Sequence, residues 1–355
     1  MIGTQTAHEA ENLPGHLMRS EIDETPDALA RILANRDAIV EVAEQIKSAD
    51  PRFVLLAARG TSDHAALYAK YLIEVLWQKP CGLVSPSTTT LYEARPDMSD
   101  VLLLSVSQSG GSPDLSEVTK VAAEQGALTV AVTNTPDSPM NRAAKLGIDI
   151  HAGPELAVAA TKSYTAQLLS LYLLIDAIRG GDGSDAVRIP ELARFTLDST
   201  ATEVAEAVQR YRFVGRMVTT GRGYSWATAA EGALKLAETS YLTARTYSGA
   251  DLLHGPVAAV DDQTAVLAVC SAGRGGQAMP EVVNRVRDRG GDVLAVGSAT
   301  SDVSAHLRIG TPECAEELSP ILEILPVQRL ALGLSLVRGG DPDNPRGLSK
   351  VTKTR

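Results

Sequence analysis

The chain has 355 residues, 44% hydrophobic and 21% charged, with a formal net charge of −10. That length predicts two domains, each able to bury a core, and the charge content is too low for a disordered chain. The acidic balance argues against a nucleic-acid partner, which needs a basic face.

Residues 1–17 are polar, punctuated by Pro and Gly, and read as a mobile tail. Residues 18–44 carry a helical pattern, with Pro26 near the first turn of a helix through Leu29, Ile32 and Leu33. A strand–helix rhythm then begins. Residues 53–58 read as a strand, 59–62 as a turn and 63–75 as a helix. A second strand covers 101–106, a helix about 113–125, and a third strand 128–132. The long apolar helical stretch 161–178 ends at Gly180-Gly181-Asp182-Gly183, the best candidate for a domain boundary. A helix over 189–211 bridges onward. The rhythm then repeats, with a strand at 214–220, a turn at 221–225 and a helix at 226–241. Strands at 265–269 and 293–296 and a closing helix at 321–336 complete it.

The halves look like copies. Ala-Arg-Gly-Thr-Ser at 58–62 matches Gly-Arg-Gly-Tyr-Ser at 221–225. Val-Ser-Gln-Ser-Gly-Gly at 106–111 falls where Val-Cys-Ser-Ala-Gly-Arg-Gly-Gly falls at 269–276. Alternating strands and helices demand parallel sheets with helices on both faces. The expected fold is α/β, with two tandem doubly wound parallel-sheet domains. A tail and helix occupy 1–34, the first domain 35–185, the second 186–340 and a C-terminal tail 341–355.

The turn Ser-Val-Ser-Gln-Ser-Gly-Gly-Ser-Pro at 105–113 joins the apolar strand to a helix start. Backbone N–H groups and the positive helix end suit an anion there. The hydroxyls of Ser107, Ser109 and Ser112 and the amide of Gln108 can add hydrogen bonds. With no lysine in the turn and no Gly-x-x-x-x-Gly-Lys pattern, a sugar phosphate fits better than a nucleoside triphosphate. Local dipoles and hydroxyls, not a global field, would have to hold it. An ordinary Ser/Gly-rich connection is the other reading. The second copy has lost the Ser-Gln-Ser trio, so one phosphate site is expected, in the first half.

Glu231, Lys235 and Glu238 are spaced four and three apart and share one helix face. That spacing fits an exposed salt-bridge ladder. The apolar neighbours Ala229, Ala230, Ala233, Leu234, Leu236 and Ala237 instead favour burial, where charges need partners or a task. His254 precedes Gly-Pro, a forced turn, and fits either a structural role or proton transfer near neutral pH. The end of the chain, from Asn344, lacks an apolar pattern and reads as a frayed tail with Lys350 a solvated charge.

Cys81, Cys270 and Cys314 form no Cys-x-x-Cys pair and the six histidines show no ligand spacing, so no metal is expected. Buried thiols, an N-terminus without a signal profile and no run of ~18 apolar residues lead us to expect a cytoplasmic chain with no membrane contact.

Several separated motifs carry a family resemblance. They are Arg-Gly-Thr-Ser-Asp-His at 59–64, Ser-Val-Ser-Gln-Ser-Gly at 105–110 and Ala-Gly-Pro-Glu-Leu-Ala-Val-Ala-Ala-Thr-Lys-Ser-Tyr at 152–164. Further along come Glu-Gly-Ala-Leu-Lys-Leu-Ala-Glu at 231–238, His-Gly-Pro at 254–256 and Leu-Ser-Lys-Val-Thr-Lys-Thr at 348–354. The chain resembles the sugar isomerase (SIS) domain family, in particular the isomerase half of glucosamine-6-phosphate synthase and stand-alone glucosamine-6-phosphate deaminases. The resemblance implies two SIS domains and a tail that closes the active site. It assigns Ser107, Gln108, Ser109 and Ser112 to the phosphate, and Thr61 and Ser62 to the sugar. Glu238 would be the base working between C1 and C2, with Glu231 and Lys235 in support. His254 would open the sugar ring, donated by the neighbouring subunit of a homodimer, and Lys350 would form a Schiff base with a ketose. No metal or other cofactor is implied.

No amidotransferase domain precedes these motifs, so the expected reaction is conversion of glucosamine-6-phosphate to fructose-6-phosphate with release of ammonia. Two departures bear on that choice. Ala160 stands where the family often has serine, and 110–112 read Gly-Gly-Ser where the synthase has Gly-Glu-Thr. The same base could instead expel water from N-acetylglucosamine-6-phosphate, and a non-catalytic sugar-phosphate sensor is a further alternative.

Overall fold

A computed structural model describes residues 13–350. Three helices open it: α1 (His16–Asp23), α2 (Thr25–Ala34) and α3 (Arg36–Ala49). Pro26 sits in the first turn of α2, where its missing N–H costs nothing, and Ala28, Leu29 and Ile32 form the buried face. Residues 13–17 are not the free tail that their polarity suggested. Gly15 N donates to Asp341 Oδ1 at 3.0 Å. Leu17 N and Met18 N donate to the Asp343 carboxylate at 2.9 Å each. Carboxylates from the far end of the sequence thus satisfy the orphan donors that begin α1. Residues 1–12 lie outside the described segment.

The first repeat runs β1 (Phe53–Ala57), α4 (Thr61–Leu72), β2 (Cys81–Leu83), α5 (Pro86–Thr90) and β3 (Val101–Ser107). It continues through α6 (Pro113–Glu124), β4 (Leu128–Thr133), α7 (Pro139–Ala143), β5 (Leu146–Asp149) and α8 (Lys162–Ile178). Its five strands are ordered β2-β1-β3-β4-β5, all parallel. Leu104 of β3 lies between Leu56 of β1 and Val130 of β4, the apolar centre of the sheet. Helix α8 is buried along its whole length, as its mostly apolar surface requires, and Lys162, Gln167 and Asp176 are buried with it.

Two helices, α9 (Ile189–Ser199) and α10 (Ala201–Tyr211), replace the single helix expected over 189–211. They meet at Thr200, whose Oγ1 donates back to the Thr196 carbonyl at 2.6 Å, a local bond that competes with helix continuation. The second repeat holds β6 (Arg216–Gly221), α11 (Ser225–Ser240), β7 (Thr243–Ser248), α12 (Gly249–Leu253) and β8 (Ala265–Val269). It closes with α13 (Met279–Arg287), β9 (Asp292–Gly297), β10 (Leu307–Gly310) and α14 (Ser319–Val337). Its strand order, β7-β6-β8-β9-β10, repeats that of the first sheet.

By length and composition the segment Glu316–Val337 could cross a membrane, but 78% of its most apolar window is buried inside the protein. It is a core helix packed on α9, α10 and α11.

Candidate active site

In each sheet the strand order reverses once, between β1 and β3 and between β6 and β8. Ligands of open α/β sheets bind in the crevice outside the strand ends at that point. In the first half, two turns meet there. Gly60 follows β1 with φ +57°, a backbone state that glycine allows, and α4 starts at Thr61. After β3, Gly110 N donates to Ser107 Oγ at 3.1 Å and Gly111 N to Ser109 Oγ at 3.2 Å. Gly110 has φ +58°, and a Cβ there would sit 2.1 Å from Ser138 Oγ. Helices α4 and α6 therefore both aim their N-termini at one crevice.

A cavity of about 340 Å³ occupies it. Thr61, Ser62, Ser107, Gln108, Ser109 and Ser112 line it. Lys235, Glu238 and Lys350 line it as well. Nine of the eleven residues singled out from the sequence thus share one cavity.

The charged face of α11 is buried, not an exposed ladder. Glu231 and Lys235 are each 0% exposed. Lys235 Nζ lies 3.0 Å from Thr61 Oγ1 and 3.4 Å from Glu231 Oε1, and also bonds Glu238 Oε2. Glu231 lies behind the cavity wall. It accepts from Thr61 Oγ1 at 3.1 Å, and its other oxygen is 2.7 Å from His64 Nδ1. Burial alone would pull the Lys235 ammonium down, but Glu231 and Glu238 outweigh it and hold the pKa above the ordinary lysine value.

Lys350 is not a solvated charge on a frayed end. Its Nζ donates to Glu155 Oε2 at 3.0 Å and to the Ala157 carbonyl at 2.6 Å. Polar anchors, not an apolar stripe, hold this strap: Asp341 and Asp343 on α1, and the Arg346 guanidinium 4.1 Å from the centre of the Tyr241 ring. Composition alone cannot register such anchors. Residues 351–355 lie outside the described segment.

Glu155 accepts from Thr161 N, Ser163 N and Ser163 Oγ at 2.9, 3.0 and 2.6 Å. Burial would raise its pKa, but the Lys350 charge and these donors keep it below the usual carboxylate value.

The structure does not bring His254 to the cavity of its own chain. The residue is exposed at the end of α12, with Nδ1 2.8 Å from the Ala250 carbonyl. A carbonyl only accepts, so Nδ1 donates and the neutral ring leaves Nε2 as an acceptor. Sequence reasoning passed over Arg59, His64 and Glu155, although all three sit inside the motifs that carry the family resemblance.

The equivalent crevice of the second half is filled from within. Glu316 accepts from Arg274 N at 2.8 Å and Gly275 N at 2.7 Å. Below it, Glu323 accepts from Ser225 Oγ at 2.9 Å and Thr228 Oγ1 at 3.0 Å. Burial, opposed by these hydroxyls, leaves the Glu323 pKa raised. A carboxylate of the same chain stands where an external anion would go. Among the described residues, no group of three or more His, Cys, Asp or Glu could hold a metal ion.

Fold and site together define a duplicated, doubly wound α/β chain with a crevice lined by the serine turn and by the Lys235–Glu238 face of α11. The SIS domain is matched twice, over residues 48–177 and 211–338, and the chain belongs to that family. It is 36% identical to the glutamine–fructose-6-phosphate aminotransferase (isomerizing) of Thermococcus kodakarensis, over 94% of this chain and 57% of that protein. The chain thus spans little more than half the length of this relative. Among solved structures, a putative phosphosugar isomerase from Silicibacter pomeroyi superposes with a TM-score of 0.84 at 34% identity. That match covers 92% of this chain and 99% of the other. The glucosamine-6-phosphate deaminase of Thermotoga maritima shares the fold, with a TM-score of 0.77 at 20% identity over 95% of this chain and 100% of that one.

Proposed function

We propose that the chain is an enzyme of amino-sugar phosphate metabolism that converts glucosamine-6-phosphate and water to fructose-6-phosphate and ammonia. One observation carries the reading. A single cavity is lined both by the serine turn and by Glu238, Lys235 and Lys350.

The phosphate is anchored by the backbone N–H groups and hydroxyls of 107–112, which leaves its binding energy free to orient the reacting end. His254 of a neighbouring copy opens the ring through its outward Nε2, so the working form is a homodimer. Glu238 takes the proton from C2 and returns it to C1, which turns the amino aldose into a ketimine. Lys235, buried and positively charged, holds the Glu238 carboxylate in place. The Lys350 amine adds to C2 and displaces ammonia. Water then hydrolyses the Schiff base to the ketose, and the strap keeps bulk solvent from the intermediate. These steps use side chains alone, without metal or cofactor.

The test is release of ammonia and fructose-6-phosphate from glucosamine-6-phosphate by purified protein, compared with Glu238→Gln. Ammonia from the wild type and none from the variant supports the reading. No turnover by a folded protein that still binds the sugar phosphate rejects it and marks a sensor. The apolar wall formed by Val158 and Ala160 favours a second reading, elimination of water from an N-acetylated substrate. An unsaturated, ultraviolet-absorbing product from N-acetylglucosamine-6-phosphate would identify that reaction.

A further inference from the structure

A dianionic phosphate in an acidic protein gains from a cation, and the serine turn contains none. The cavity wall supplies one from the other turn. Arg59, one residue before Gly60, lines the cavity together with Ser107, Gln108, Ser109 and Ser112. Its Nε donates to Asp114 Oδ2 at 2.9 Å. Asp114 belongs to the first turn of α6, and its side chain is fully buried. Its other oxygen accepts from Leu115 N at 2.9 Å. The Arg59 side chain is 48% exposed. Its terminal N–H groups make no hydrogen bond to any described residue.

These observations fit together. A buried carboxylate beside a phosphate cradle would repel the ligand unless a cation paired with it. Arg59 is that cation, and the pairing uses only one edge of the guanidinium. The remaining fork keeps the planar donor geometry that matches phosphate oxygens. Arg59 also sits on the turn that starts α4, so it joins that turn to the first turn of α6 at the cavity wall.

We propose that Arg59 is a further phosphate-binding residue of this site, positioned by Asp114. The inference rests on the proposed function for the identity of the phosphorylated ligand. It also explains how an acidic chain holds a dianion without a lysine in the turn.

The test titrates inorganic phosphate into wild type, Arg59→Ala, Arg59→Lys and Asp114→Asn by calorimetry. Steady-state kinetics on glucosamine-6-phosphate and thermal unfolding follow for each. Arg59→Ala should weaken phosphate binding about 10- to 100-fold and raise KM by a similar factor, with kcat within about threefold. Arg59→Lys should recover part of the loss, because it keeps the charge and loses the fork. Asp114→Asn should fall between wild type and Arg59→Ala. Wild-type phosphate affinity and KM in Arg59→Ala, with only a lower Tm, would reduce Arg59 to a structural ion pair and overturn the proposal. Phosphate binding needs no turnover, so the two readings separate. A protein that binds phosphate through Arg59 but releases no ammonia refutes the proposed reaction and keeps this inference.

Discussion

Lys235 Nζ lies 3.0 Å from Thr61 Oγ1, although 174 positions separate the two residues. Through this contact the helix of the second repeat enters the serine-turn crevice of the first. The duplication is symmetric in strand order and asymmetric in its crevices. One crevice is open and receives charge from its sister domain, while the other is plugged by Glu316.

Glu231 ties that junction together, with His64, Thr61 and Lys235 all on its carboxylate. Glu231→Ala should cost about 3–5 kcal/mol of stability, because it leaves a buried cation short of a partner. Urea denaturation measures it. A loss below about 1 kcal/mol would mean the network contributes little.

Gly110→Ala should disrupt the serine turn. The positive φ and the 2.1 Å approach to Ser138 Oγ leave no room for a methyl group. Phosphate affinity should fall by about tenfold or more, alongside a stability loss of about 1–3 kcal/mol. Calorimetry and thermal unfolding separate the two effects.

Glu21 gives the fold a pH dependence. Burial, then the nearby Glu155 charge, push its pKa up to about 7 from an ordinary 4.5. Its Oε2 has no partner among the described residues. Between pH 4.5 and 7 the folded chain therefore keeps a proton that the unfolded chain has released. Stability is highest below that window and falls as pH rises through it. Relative to wild type, Glu21→Gln should remove about 1–2 kcal/mol of the loss between pH 5 and pH 8, a figure discounted for partial solvent access. Urea midpoints at both pH values check it, and equal slopes in the two proteins would refute it.

Lys350→Met should remove the amine while Asp341, Asp343 and Arg346 still hold the strap. Borohydride reduction in the presence of fructose-6-phosphate should then trap a covalent adduct on the wild type alone. Peptide mass spectrometry reads the modified residue. An adduct of equal yield on the variant would place the reactive amine elsewhere.

The core strands were legible because β1, β3, β4, β8 and β9 are apolar runs buried in parallel sheets. Four other strands were not, among them the edges β2 and β5, which are three and four residues long and carry little pattern of their own. Strand β7 reads Thr-Ala-Arg-Thr-Tyr-Ser, half-exposed and polar, and neighbouring β6 alone defines it. The serine turn and the α11 face were visible because their chemistry is local in sequence. Arg59 and Glu155 escaped notice because their significance comes from partners far along the chain, Asp114 and Lys350. The end of the chain looked frayed for the same reason, since its anchors are single polar contacts to α1, Tyr241 and Glu155.

The most direct measurement is a crystal structure with glucosamine-6-phosphate bound. The account predicts the phosphate within hydrogen-bond reach of Ser107, Ser109 and Ser112, and C2 facing the Glu238 carboxylate. A sugar phosphate held outside this cavity, or one lying in it with the phosphate against Lys235, would contradict it.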